Sequence, residues 1–367
     1  MWMTFLLSAI LLLQQSRNNY LNYENYCVYG TVIGGLGQIL YQLVEDTMLR
    51  GDLHKYYTTQ PKSGDTAGEL ININFLKWLH CCTPFRFSLG WMNYFNVEIF
   101  DPAVARRLVP METFVGFNGQ SYHTFKKARK LGYNKLELIS ANSHVKNIMR
   151  QQVRAFNETK IGNNWLNETR YRKTLCEYSM ADIIYVISSY AHNTFIAEGF
   201  PPDKLRLFNL VTESRFKPTQ NRVRDGIFRI IYTGAVSSMK GVPILIEAFY
   251  RFRSVPAELI LVGSTSTRTM KRYMKNCIRK DPRICMMPGD PLPHLLRADV
   301  YVHPSYTDGF GFAPMEAIAC GVPVIVTDNT GMKEHVKEGV NGYIVPTGNY
   351  KAIMERLEYL AECKNNR

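Results

Sequence analysis

The chain has no apolar run long enough to cross a membrane. Residues 2–13 are almost wholly apolar, yet at roughly a dozen residues they fall short of the ~20 that a spanning helix needs. No basic residue precedes them, so they do not read as a secretory signal either. A buried first strand or core helix is expected there, with a segment dipping into a membrane face as the alternative. Cysteine spacing excludes another class. None of the eight cysteines stand as Cys-x-x-Cys, and only Cys81 and Cys82 are neighbours, so reduced, mostly buried thiols are expected. Zinc-finger spacing and RNP-like motifs are absent, which ranks nucleic acid last among partners. The sequons at Asn157 and Asn167 matter only in a secretory lumen. With no clear targeting signal, the expected location is cytoplasmic, with peripheral contact at a membrane face left open.

Acidic charge is also scarce. Asp and Glu number 31 against 44 Lys and Arg, a formal net charge of +13 with a pI near 9.3. Such a surface attracts acidic partners, nucleotide diphosphates or anionic lipid among them. Nothing suggests disorder: the composition is 46% hydrophobic and 20% charged. At 367 residues the chain exceeds one typical core, so two domains of roughly 150–200 residues are expected.

The most informative stretch is 306–326, YTDGFGFAPMEAIACGVPVIV. The run Ala298, Asp299, Val300, Tyr301, Val302 ahead of it predicts a buried strand, and the acidic glycine loop Asp308-Gly309-Phe310-Gly311 follows. A helix opens near Pro314 with Gly321 just past its end, and residues 323–327 predict the next strand. A strand, glycine turn and helix leave free N–H groups at the helix start, where an anionic or polyhydroxylated ligand can come close. Asp308 and Glu316 flank that opening. Carboxylates there suit hydroxyl groups rather than a bare phosphate, because they accept hydrogen bonds. On spacing alone, an ordinary βαβ crossover with a capping Asp and a solvated Glu fits equally well.

The stretch resembles the acidic signature of the retaining, nucleotide-sugar-dependent glycosyltransferases of family 4, in which two glutamates stand eight positions apart around a Gly-Phe-Gly turn. Glu316 fits that pattern, and Asp308 stands in place of the first Glu. The likeness runs through residues 303–346. It implies an α/β chain with the GT-B fold, two Rossmann-like domains facing each other across a cleft. The acceptor domain is expected over 1–215 and the nucleotide-sugar domain over 216–350, with a last helix, 351–367, crossing back to the first domain.

Shorter pieces extend the resemblance. Gly34, Gly35 and Gly37, ahead of a helical pattern, resemble the family's first loop, which places Gly35 near the donor diphosphate. The predicted strand 136–140 delivers Asn142, Ser143 and His144 to its C-terminal end, where open parallel sheets bind ligands. The family carries a His at a comparable place, so His144 is the candidate that positions the transferring sugar, with His123 as runner-up. Residues 177–218 resemble the family's passage between domains, although Leu210-Val211-Thr212 replaces its usual Gly-Val-Asp turn. Residues 215–226, polar and basic, read as the linker. Gly234 then ends a predicted strand and opens the diphosphate loop, with Lys240 in the place of the family's Lys. The Arg expected after the first glycine is Ala235, and losing such a contact costs on the order of 2–5 kcal/mol. Residues 288–296 stand where the family presents backbone groups to the nucleotide base. Residues 54–110 are the least informative, and the acceptor cannot be read from them.

What the resemblance implies is transfer of a hexosyl group from a UDP- or GDP-hexose to a hydroxyl acceptor on a glycan or lipid, with retention. Lys240 and loop amides near Gly35 and Gly234 would stabilise the leaving diphosphate. Glu316 would hold the ribose and Asp308 the sugar hydroxyls, with Phe310, Gly311 and Phe312 shaping the donor pocket. No Asp-x-Asp pair occurs, so neither metal nor other cofactor is expected, and helix N-termini would share the neutralisation with Lys240. Ala235 and Asp308 keep a non-catalytic binding module open. A sugar-nucleotide epimerase or hydrolase on the same fold is a further alternative.

Overall fold

The computed structural model describes residues 26–29, 35–59, 67–71, 89–162, 166–210, 214–219 and 225–365. The expectations for residues 2–13 and for Gly34 lie outside them. Thirteen strands among the described residues build two sheets. The first holds β1 (Tyr26–Tyr29), β2 (Leu53–Thr58), β3 (Gly68–Leu70), β4 (Thr113–Phe117), β5 (Lys135–Ser140), β6 (Ile183–Val186) and β7 (Leu205–Leu207), in the order 3-2-1-4-5-6-7. The second holds β8 (Phe228–Thr233), β9 (Ala257–Val262), β10 (Ile284–Met287), β11 (Val300–His303), β12 (Val324–Thr327) and β13 (Gly342–Val345), in the order 10-9-8-11-12-13.

The strand pairs in both sheets run parallel. Central parallel strands joined by helical crossovers are covered on both faces, and their sequences are accordingly rich in apolar residues. Each of the six residues of β8, FRIIYT, is buried, as are VYVH of β11 and VIVT of β12. Successive residues then serve opposite faces: Ile230 and Tyr232 belong to one apolar cluster of the second domain, Ile231 to the other. Both sheets repeat the doubly wound order that reverses beside its first strand, between β1 and β4 and between β8 and β11. Ligands bind at that reversal, outside the carboxyl ends of the strands.

The change from one core to the next falls in the segment joining β7 to β8. Phe208 and Leu210 pack with the first domain and Phe216 with the second. The domains also share apolar contacts. Met239 and Tyr306 enter one cluster of the first domain, and Phe310 enters the other beside Ile39, Leu40 and Phe117.

The last helix differs from its expected course. Tyr350–Asn365 packs on helix Val242–Arg251 of its own domain and on β13. Its stripe Ile353, Leu357, Ala361 lies in the second domain's core, a four-residue spacing that gives the helix one apolar face. Near its end Lys364 Nζ donates to the Ile227 carbonyl and to Asp299, both at 2.8 Å. Among the described residues, the helix has its groove on its own domain, as far as Asn365. Among the described residues no helix is long and apolar enough to cross a membrane.

Candidate active site

The site is assembled from the two loops that leave β8 and β11, the strands flanking the reversal of the second sheet. After β8 the chain turns through residues 234–241, where Ser237 Oγ accepts from the Lys240 N–H at 3.1 Å and the Ser238 carbonyl accepts from Gly241 at 2.9 Å. Gly241 has φ +68°, and a Cβ there would lie 1.8 Å from the Pro304 carbonyl oxygen. Only glycine meets both demands, the left-handed backbone and the close approach. That approach sets Lys240 over the loop that follows β11. Tyr306 N–H, donating to the Met239 carbonyl at 2.9 Å, fastens the two loops again.

As a result Lys240 Nζ reaches Asp308 Oδ2 at 2.5 Å, and His303 Nε2 lies 3.0 Å from the same oxygen. The Asp308 side chain is 14% exposed. Burial alone would raise its pKa, but the Lys240 ammonium and the His303 N–H outweigh burial and hold the carboxyl below its ordinary range. His303 moves the other way: burial lowers its pKa, opposed by Asp308. The ring is therefore neutral at pH 7, with Nε2–H donating to Asp308. Its Nδ1 is buried without a hydrogen-bond partner among the described residues.

A cavity of about 710 Å³ opens here between the carboxyl ends of both sheets. Asp308, Glu316 and Lys240 line it, together with Gly234, Phe310, Gly311 and Phe312. Glu316 sits on helix Phe312–Ala319 and is 9% exposed. Gly35 opens helix Gly35–Arg50, whose Ile39, one turn on, lines the cavity. Residues 30–34 of that loop lie outside the described residues. Ala235 lines the cavity where an Arg was expected, its carbonyl accepting from Tyr232 Oη at 2.8 Å.

The structure sets His144 back from the cavity. It is the N-cap of helix Val145–Thr159, its Nδ1 accepting from the Lys146 N–H at 3.2 Å. Its ring packs 4.9–5.4 Å from Tyr178, Phe195 and Phe200 and is 1% exposed, whereas the cavity wall at this strand end is Ala141 and Asn142. Burial lowers its pKa to about 4. The strand end was read correctly, but the residue facing the cleft is Asn142. His123 is no substitute: its backbone N–H donates to Asp101 Oδ2 at 2.7 Å on helix Leu89–Arg107, and its Nε2 stands 3.5 Å from Lys173 Nζ.

Two further cavity residues escaped the sequence reading. His303 is the only polar side chain in an otherwise apolar VYVH strand, and polarity at the carboxyl end of a parallel strand is a signal that could have found it. Arg215 lines the cavity with its Nη1 2.8 Å from Asp290 Oδ1. Arg215 and Lys240 are its Arg and Lys residues among those described.

Comparisons with known proteins bear on the fold and on the second domain. The capsular polysaccharide biosynthesis glycosyltransferase CapM of Staphylococcus aureus is 26% identical over 202 residues, covering 50% of this chain and 53% of that protein. The chain spans about half the length of the curated relatives it matches. Sucrose-phosphate synthase of Thermosynechococcus elongatus superposes with a TM-score of 0.69 at 18% identity, covering 92% of this chain and 90% of that one. HepE of Anabaena, in complex with UDP and glucose, gives 0.65 at 14% identity, covering 94% and 91%. Residues 213–367 match the family model of glycosyl transferases group 1, and the chain as a whole has the GT-B fold of two Rossmann-like domains.

Proposed function

We propose that this protein is a retaining glycosyltransferase that moves a hexosyl group from a nucleotide diphosphate sugar to a hydroxyl acceptor on a glycan or lipid. The observation that carries this reading is the convergence of Lys240, Asp308 and Glu316 on one cavity at the reversal of the second sheet. The family match over 213–367 and the likeness to a chain holding UDP and glucose support it.

The chemistry follows from the groups present. An ammonium has three hydrogens, so Lys240 can keep Asp308 and still donate to a phosphate oxygen of the leaving diphosphate. Glu316, half a helix from the Gly311 turn, accepts from ribose hydroxyls. Asp308 is one methylene shorter than the family's Glu, and in this structure it is drawn to Lys240 and His303. A sugar hydroxyl reaching its free oxygen would complete the contact. Metal-independent donor binding is part of the proposal, with Lys240 and Arg215 as the local cations.

Ala235 favours a second reading, a GT-B module that binds without turnover, because one expected positive charge is missing from the diphosphate loop. Calorimetry of UDP-, GDP- and ADP-sugars without metal decides between these readings and names the base. Saturable binding of one donor that weakens in Lys240→Ala and Glu316→Ala, with release of its diphosphate during turnover, is the expected result. Binding without release supports the silent module. No binding across the panel sinks both.

A further inference from the structure

Asp308 sits between two anchors, one in each domain. On its own side, its N–H donates to the Asn329 carbonyl at 3.2 Å and its carbonyl accepts from Gly331 at 3.0 Å. On the other side the preceding residue, Thr307, reaches across the cleft. Its hydroxyl lies 3.0 Å from Ser143 Oγ and 2.9 Å from Tyr190 Oη. Asn147 Nδ2 is 3.0 Å from each of those two oxygens and 3.5 Å from Thr307 Oγ1.

A hydroxyl has one hydrogen to give and two lone pairs. Asn147 Nδ2 can only donate, Ser143 and Tyr190 can each donate to or accept from Thr307, and in either arrangement Thr307 is bonded to the first domain. Ser143 is wholly buried and Thr307 is 9% exposed. In such surroundings a polar network that loses one member leaves the others unsatisfied. The following residue has no slack either. A Cβ on Gly309 would lie 2.6 Å from both Ala141 O and Asn142 Cα, and Ser188 Oγ donates to the Gly309 carbonyl at 2.5 Å.

We propose that Thr307 is a positioning residue: the Ser143–Tyr190–Asn147 cluster of the first domain grips it and thereby holds Asp308 against Lys240 and His303, so that recognition of the transferred sugar depends on the first domain. This rests on the reading of Asp308 as the group that meets the sugar. The nucleoside diphosphate has groups that do not depend on this grip, Lys240 and Glu316 of the second domain among them. The sugar is recognised only when both domains are gripped together.

The test uses the full chain with Thr307→Val, which keeps the shape and removes the hydroxyl, and Thr307→Ser, which keeps the hydroxyl. The first readout is the ratio of the Kd for the nucleoside diphosphate to that for the nucleotide sugar. Thr307→Val is expected to leave the diphosphate Kd within about twofold and to reduce the ratio about tenfold, with kcat falling more than KM changes. Thr307→Ser and the wild type agree. An unchanged ratio in Thr307→Val, whatever its Tm, overturns the proposal. The second readout needs no ligand. By ¹⁵N NMR, the His303 Nε2 resonance is expected to leave its carboxylate-bonded position in Thr307→Val and to hold it in Thr307→Ser. An unmoved resonance overturns the proposal even if no nucleotide sugar binds the wild type, an outcome that would refute the functional reading separately.

Discussion

At the scale of single residues, the balance of charge in the cavity decides what can enter. Lys240 is already paired with Asp308, and Arg215 with Asp290, so an incoming diphosphate meets cations whose charge is partly cancelled. Truncating Lys240 leaves Asp308 buried with only the neutral His303 beside it. Lys240→Ala is therefore expected to cost about 2–5 kcal/mol in diphosphate affinity, read as a shift in Kd by calorimetry. Arg215 is 44% exposed as a side chain, where salt screens its field. Arg215→Ala is expected to weaken the same ligand less than Lys240→Ala, and the deficit should shrink as salt is raised from 50 to about 500 mM.

His144 gives a prediction of another kind. Its pKa is lowered from the model-compound 6.5 to about 4 by burial, so the unfolded chain binds its proton first as pH falls. Stability is fully present above pH 6.5 and is lost toward pH 4, about 3 kcal/mol across that window at 1.36 kcal/mol per unit. His144→Asn keeps an N-cap acceptor for Lys146 without an ionisable ring. Urea midpoints at pH 7.5 and 5.0 should differ less in that variant than in the wild type.

At the scale of elements, the two loops of the site are built around glycines. Gly241→Ala demands a left-handed Cβ, about 1–2 kcal/mol in itself, and drives that Cβ into the Pro304 carbonyl. The Lys240 turn must lift from the β11 loop. A lowered Tm together with weakened nucleotide binding is expected, and an unchanged Kd would separate the turn from the site. Such local patterns were readable in advance. The Asp308 loop, helix Phe312–Ala319, Gly321 at φ +73° beyond its end and β12 follow one another as the spacing of apolar residues, proline and glycine indicates. The environment of His144 was not readable. Tyr178, Phe195 and Phe200 come from different segments, and the choice between His144 and Asn142 turns on which way the backbone faces as it leaves β5. Thr307 was equally hidden, because Ser143 and Tyr190 are distant in sequence and only domain closure brings them to it.

At the scale of the whole molecule, an apolar plug joins the halves. Phe310 is 5% exposed and lies within the first domain's cluster, although its own loop belongs to the second domain. Phe310→Ala is expected to remove about 3–5 kcal/mol of packing, much of it coupling between domains. Calorimetric unfolding should then resolve into two transitions, against one for the parent protein. A single transition shifted to lower temperature would place the loss inside one domain.

The last helix, Tyr350–Asn365, has a consequence for how the molecule can be divided. Because it stays on its own domain, the described chain passes from one half to the other once, between β7 and β8. One peptide bond cut in that passage would leave two polypeptides, one holding the sheet β1–β7 and the other the sheet β8–β13. Among the described residues, their shared surface, with Phe310, Tyr306 and the Thr307 grip, would reunite them. The protein is thus suited to being expressed as two separate genes and reconstituted by mixing, with nucleotide-sugar binding as the signal that the halves have met.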